Sequence, residues 1–169
     1  MKIFLDTEFW EDGPNRPLQL ISLGLHAQDG TELYVVNTDF DWGKCGSTWL
    51  HKNVRPGVGK GAPVFLEHAN IDLIVLEWVK RLCPGKKPEF WGYYSDYDWV
   101  LFCQIFGAMV ELPNIFPKYC MDIKQLAVML GDPVLPPQAE GEHNALFDAR
   151  WNKQAWEFLM GRERPNGAG

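Results

Sequence analysis

The N-terminal segment MKIFLDTEF sets two carboxylates, Asp6 and Glu8, inside an otherwise apolar, β-leaning run. The side-chain period of a strand is two, so residues 6 and 8 face the same way. Two like charges side by side repel, and a neighbouring carboxylate raises one pKa and protonates it unless something cationic lies between them. A chain that begins like this either turns that face to solvent, the ordinary fate of carboxylates, or builds a cation site against it.

The remaining elements follow from periodicity and turn residues. Residues 18–26 and 32–37 read as two more extended runs, separated by the turn-rich EDGPNRP and QDG, so the first three strands form a meander. Residues 39–63 carry DWGKCG and RPGVGKGAP with little periodicity and read as a long irregular loop, functional or mobile. Ile71, Ile74, Val75, Trp78, Val79 and Leu82 stand at helical spacing, with Asn70 to cap the start and Pro84-Gly85 to stop it. Residues 89–94 (EFWGYY) read as a buried strand, and residues 97–106, 123–130 and 145–160 as three further helices. Strands first, then helices alternating with a strand, imply an α/β domain whose mixed central sheet has about five strands flanked by helices. Residues 1–161 are expected to form that single domain, and RERPNGAG (162–169) a frayed tail.

Composition narrows the function classes. The chain has 169 residues, one domain's worth, enough to bury roughly 70% of the surface its unfolded form would expose. With 46% apolar and 14% aromatic residues it is not an intrinsically disordered chain. A net charge of -6 speaks against a broad basic surface for nucleic acid, so any phosphate partner is handled locally. No apolar run approaches the ~20 residues needed to cross a bilayer, and the acidic N-terminus is unlike a signal peptide; a soluble, cytoplasmic protein is expected. Cys45, Cys83, Cys103 and Cys120 form no CxxC pair and read as reduced, mostly buried thiols.

Two more segments carry candidate chemistry. Asp98 in YSDYDWVLF falls in the first turn of a helix, a position the helix dipole favours for any carboxylate, its neighbour Asp96 included. In EHNALFDAR, His143 precedes Asp148 by five residues, about 500° of helix, so the two converge only if His143 lies in the incoming loop. Asn144 is then the natural N-cap. Taken singly, each segment also fits an ordinary surface or capping role.

In order and spacing the three segments resemble the DEDD superfamily of 3′-to-5′ exonucleases, His-containing subclass. The first motif, DxE, matches Asp6 and Glu8; the second, an aromatic-Asp pair with Leu three on, matches Tyr97, Asp98 and Leu101; the third, HxAxxDA, matches His143, Ala145, Asp148 and Ala149. DTEFWEDG, LISLGL, YDWVLFCQIFG and HNALFDAR look most like the small single-domain exoribonucleases of the mycobacterial polyadenylate-specific type, over residues 1–160. One departure stands out: where the superfamily often has an Asn ahead of the second-motif Asp, this chain has Tyr94.

The resemblance implies a ribonuclease H-like fold and two Mg2+ or Mn2+ ions about 4 Å apart. Asp6 would bridge both ions, Glu8 and Asp148 would complete the first, and Asp98 would hold the second, largely through water. His143 would be the general base that takes a proton from the attacking water. Thr7, Glu8, Phe9, Trp10 and His143 would meet the terminal nucleotide: Glu8 and the backbone near Phe9 at its 3′ hydroxyl, and Phe9 or, better, Trp10 by stacking on the base. Trp42 and Trp49 are secondary candidates for a substrate wall. Lys52, Arg55 and Lys60 would contact phosphate or simply be solvated, and Asp122 reads as a cap.

The implied protein is a cytoplasmic, homodimeric hydrolase releasing 5′-nucleoside monophosphates from single-stranded RNA 3′ ends or overhangs, with a preference for adenylate. A DNA exonuclease would use the same five catalytic residues, since only contacts to the 2′ hydroxyl separate the two. A non-catalytic nucleotide- or RNA-binding module would have no reason to hold four carboxylates together.

Overall fold

The computed structural model describes residues 1–138 and 141–162. Strands β1 (Lys2–Trp10), β2 (Gln19–Ala27) and β3 (Glu32–Asn37) form the expected antiparallel meander. β4 (Val64–Leu66) adds in parallel to β3, β5 (Glu89–Gly92) in parallel to β1, and β6 (Met121–Asp122) in parallel to β5. The sheet is therefore mixed and six-stranded, in the order β4-β3-β2-β1-β5-β6, rather than five-stranded. β4 and β6 are three and two residues long, too short to print an alternation on the sequence.

Among the described residues five α-helices flank it: α1 (Thr48–Asn53), α2 (Ile71–Leu82), α3 (Asp96–Gln104), α4 (Ile123–Met129) and α5 (Ala145–Arg162). α1 corrects the expectation of an irregular loop over residues 39–63; it is one and a half turns long, and the Ser47 hydroxyl caps it by accepting the Leu50 N–H. Asn70 makes no capping hydrogen bond to α2, because a 3₁₀ turn over His68–Asn70 leads into that helix. Asp122 does cap α4, accepting the Gln125 N–H at 2.7 Å, and also accepts the Ser95 N–H at the start of α3. α5 runs on through Arg162, so that residue belongs to the helix and not to a tail; 163–169 lie outside the described residues. All four cysteines are free thiols, three of them buried. Among the described residues no helix is long and apolar enough to cross a membrane.

The sheet is the middle of three layers. Ile3 and Leu5 of β1 face α2 and α3, in a core with Leu23, Leu25, Val35, Val75, Phe90 and Phe102. Phe4 faces the other way, onto Ile123 and Ala127 of α4 and Ala155 and Leu159 of α5. By the strand period, Asp6 and Glu8 share the face of Phe4 and look toward α5, while Thr7 looks toward α3.

α5 is locked to the sheet at that point. Gly24 of β2 pairs with Asp6 of β1, and a Cβ there would lie 2.1 Å from the Ala145 carbonyl oxygen, so the first turn of α5 rests on the glycine. The Asn152 amide donates to the Leu5 carbonyl at 2.9 Å, and Arg150 makes a two-pronged ion pair with Glu32 of β3 at 2.6 and 2.7 Å. Gly24→Ala would have to lift the helix. It is expected to cost at least about 2 kcal/mol by overpacking and to lower Tm by roughly 4–8 °C in thermal unfolding; an unchanged Tm would contradict the seating described.

Candidate active site

The locked helix brings Asp148, in the first turn of α5, over Asp6 and Glu8. One carboxylate oxygen from each of the three lies within 4.8 Å of the others. Asp98 joins from the opposite layer, in the first turn of α3, where its Oδ1 accepts both the Thr7 backbone N–H (2.8 Å) and the Thr7 hydroxyl (2.5 Å). Thr7 is buried and its hydroxyl is engaged by Asp98 inside the protein.

The electrostatics reflect this crowding. Burial, then the charges of Asp98, Asp148 and Glu8, hold the Asp6 carboxyl well above the usual carboxylate range. Burial, then Asp148 and Asp98, push Glu8 up to about 8. Asp98 is pushed up to about 6 by burial, against the two hydrogen bonds from Thr7 that favour its charged form. Burial also raises Asp148, opposed first by the Gln138 amide, which donates to its Oδ1 at 2.6 Å. Gln138 was not visible in the sequence, because PVLPPQ carries no periodicity that would aim a side chain.

His143 lies in the loop just ahead of α5, as its spacing from Asp148 requires, with φ +67. Asn144 is the expected cap: its side-chain oxygen accepts the Leu146 and Phe147 N–H groups at 3.1 and 3.2 Å. Its amide donates to the Gly57 carbonyl and the Tyr34 hydroxyl, tying the loop to β3 and to the segment after α1. The His143 ring stands edge-on to Trp49 of α1, centroids 4.8 Å apart, and Trp49 is 52% exposed.

The ranking of the stacking candidates changes. Trp10 is only 7% exposed; it meets Phe40 edge-on and packs with Leu50 of α1 and Val54. The segment that buries it is the one whose helix the sequence did not reveal. Phe9 is half-buried beside Tyr97, rings 5.6 Å apart, and lines a cavity of about 350 Å³ together with Glu8, Trp10 and Trp49. Trp42 packs against Phe40 with the Arg55 guanidinium over its ring, a structural use of both residues. Lys52, Lys60 and Asp96 are exposed.

The donor set suits a divalent cation of the Mg2+ or Mn2+ kind. Three hard carboxylate oxygens converge, and their raised pKa values mean that a dication bound there would displace protons from them.

The sheet order and flanking helices are those of a ribonuclease H-like fold, with an acidic cluster formed between β1 and α5. Residues 1–160 match the family described as the 3'-5' exoribonuclease Rv2179c-like domain, and the chain belongs to that family. Two Mycobacterium tuberculosis proteins, named 3'-5' exoribonuclease MT2234.1 (strain CDC 1551 / Oshkosh) and 3'-5' exoribonuclease Rv2179c (strain ATCC 25618 / H37Rv), are each 37% identical to it. In both cases the match runs over 150 residues, 89% of this chain and 88% of the relative.

The raised carboxyl groups set the pH dependence of the metal-free protein. Glu8 titrates near 4.5 when unfolded and about 8 when folded, so the fold binds this proton more tightly than the unfolded chain does. The resulting stability is fully present below about 4.5 and is lost as pH rises through about 8. In chelator, Tm is expected to fall between pH 5 and 8.5, and Glu8→Gln to flatten that fall and melt above the parent at pH 8.5. Parallel curves for parent and variant would contradict this.

Proposed function

We propose that this protein is a metal-dependent 3′-to-5′ exoribonuclease that releases 5′-nucleoside monophosphates from single-stranded RNA ends. The observation that carries the reading is the convergence of Asp6, Glu8 and Asp148, with His143 lining the same cavity as Asp6 and Asp148. The names of the two mycobacterial relatives support the substrate class and the polarity.

Asp6, Glu8 and Asp148 would hold Mg2+ or Mn2+, with Asp98 completing the set for a second ion. When bound, such ions polarise the scissile phosphate and stabilise the attacking and leaving oxygens. His143 takes the proton from the attacking water; the Asn144 cap and the Trp49 ring hold its loop in place for that transfer. The water oxygen bonds to phosphorus, the bond to the preceding nucleotide's O3′ breaks, and that oxygen leaves with a proton. Phe9 and Trp49 receive the terminal base, and Glu8 with the backbone at Phe9 meets its 3′ hydroxyl, which restricts attack to a free end. Thr7 serves as a positioning residue for Asp98. Preference for adenylate, homodimeric assembly and a cytoplasmic location belong to the same proposal and rest on the resemblance to the mycobacterial-type enzymes.

End-labelled RNA with Mg2+ is expected to shorten stepwise from its 3′ end, faster than a DNA strand of the same sequence and fastest for oligo(A). EDTA is expected to stop the reaction, and activity persisting in the chelator would overturn the metal assignment. His143→Ala is expected to slow turnover at least ~100-fold while Mn2+ binding is retained; a parent-like rate would remove His143 as the base.

A further inference from the structure

Two cavities open on the acidic cluster, and they share no lining residue. The smaller, of about 350 Å³, holds Glu8, Phe9 and Trp49 and is the terminal-nucleotide site of the reading above. The larger, of about 590 Å³, reaches Asp6, His143 and Asp148 and continues between residues 133–138 and a wall containing Tyr93, Lys124 and Trp151. The reacting phosphate, at the carboxylates, would therefore have one cavity on each side of it.

The 132–138 segment is a fixed wall. Asp132 Oδ1 accepts the Lys124 ammonium at 2.5 Å, the Pro136 carbonyl accepts the Trp151 indole N–H at 2.9 Å, and Asp148 accepts the Gln138 amide. Pro133, Pro136 and Pro137 lock φ and remove backbone donors. Val134 stands on the same wall, 92% exposed. Facing it, the Tyr93 ring meets Trp151 edge-on at 5.1 Å, and Tyr94, 64% exposed and at φ +54, meets Tyr93 at 4.6 Å. The lining sets Pro133, Val134 and Leu135 opposite the half-buried rings of Tyr93 and Trp151, while Lys124 is paired with Asp132 and Glu142 adds a further carboxylate; few charges are left to grip phosphates, and the apolar faces suit flat bases.

We propose that this cleft binds the nucleotides immediately 5′ of the scissile bond, with bases lying between the proline-rich wall and the Tyr93 and Trp151 rings and with Lys124 turning from Asp132 to the phosphate. The proposal rests on the exoribonuclease reading and gives it a direction: the strand enters over Lys124 and ends at Trp49.

The test compares a short single-stranded RNA with the p-nitrophenyl ester of adenosine 5′-monophosphate, which fills the terminal site but has no nucleotide upstream. Val134 is exposed, so charge can be placed on the wall without disturbing the core. Val134→Glu is expected to lower the RNA-to-ester ratio of kcat/KM at least fivefold by repelling the phosphodiester backbone, and Val134→Lys to raise it, both effects shrinking at high salt. A parent that cleaves both substrates while both variants keep the ratio within twofold overturns the cleft proposal alone. A parent that cleaves neither overturns the exoribonuclease reading, and the proposal with it.

Discussion

Everything at the proposed catalytic end of this molecule depends on holding carboxylates together against their own repulsion. Asp6 and Glu8 are fixed by the strand period, but Asp148 joins them only because α5 is pressed onto β2 at Gly24 and fastened by Asn144, Asn152 and the Arg150–Glu32 pair. Thr7 performs the same service for Asp98 from the opposite layer. Burial first, and the mutual repulsion second, appear as raised carboxyl pKa values, and relief by a dication is the simplest reason to build such a cluster.

The acidity of the chain takes on a different meaning in this light. A net charge of -6 argues against a protein that grips nucleic acid through a basic groove, yet four of its acidic side chains, Asp6, Glu8, Asp98 and Asp148, are gathered around β1. In the proposed function the positive charge for the reacting phosphate arrives with the metal. The rest of the strand would be held by aromatic and apolar walls on either side, at Trp49 and Phe9 and along Tyr93, Trp151 and the proline-rich wall. Such binding is local to the end of a strand, with a shallow salt dependence.

Much of this was legible in the sequence, for identifiable reasons. A DxE on a β-leaning run and an apolar stripe over residues 71–82 are governed by short-range periodicity, and both appear as expected. The position of His143 followed from an angular argument about five helical residues, and the Asn144 cap from its side-chain chemistry. What escaped was short or tertiary. β4 and β6 have too few residues to show a pattern, and α1 is hidden among Gly and Pro. Missing α1 made Trp10 look like a turn residue free to stack, when that helix and Phe40 cover it and leave Trp49 exposed beside His143. Gln138 reaches Asp148 from an aperiodic loop, a contact that only the folded chain reveals.

The central claim, that the confined carboxylates form a divalent-cation site, is tested most directly by calorimetric titration of the chelator-treated protein with Mn2+ at neutral pH. Saturable binding is expected for the parent, lost or severely weakened in Asp6→Asn and in Asp148→Asn, each confirmed to be folded by circular dichroism. Absence of binding by the parent, or binding that both folded variants retain at parental strength, would contradict it.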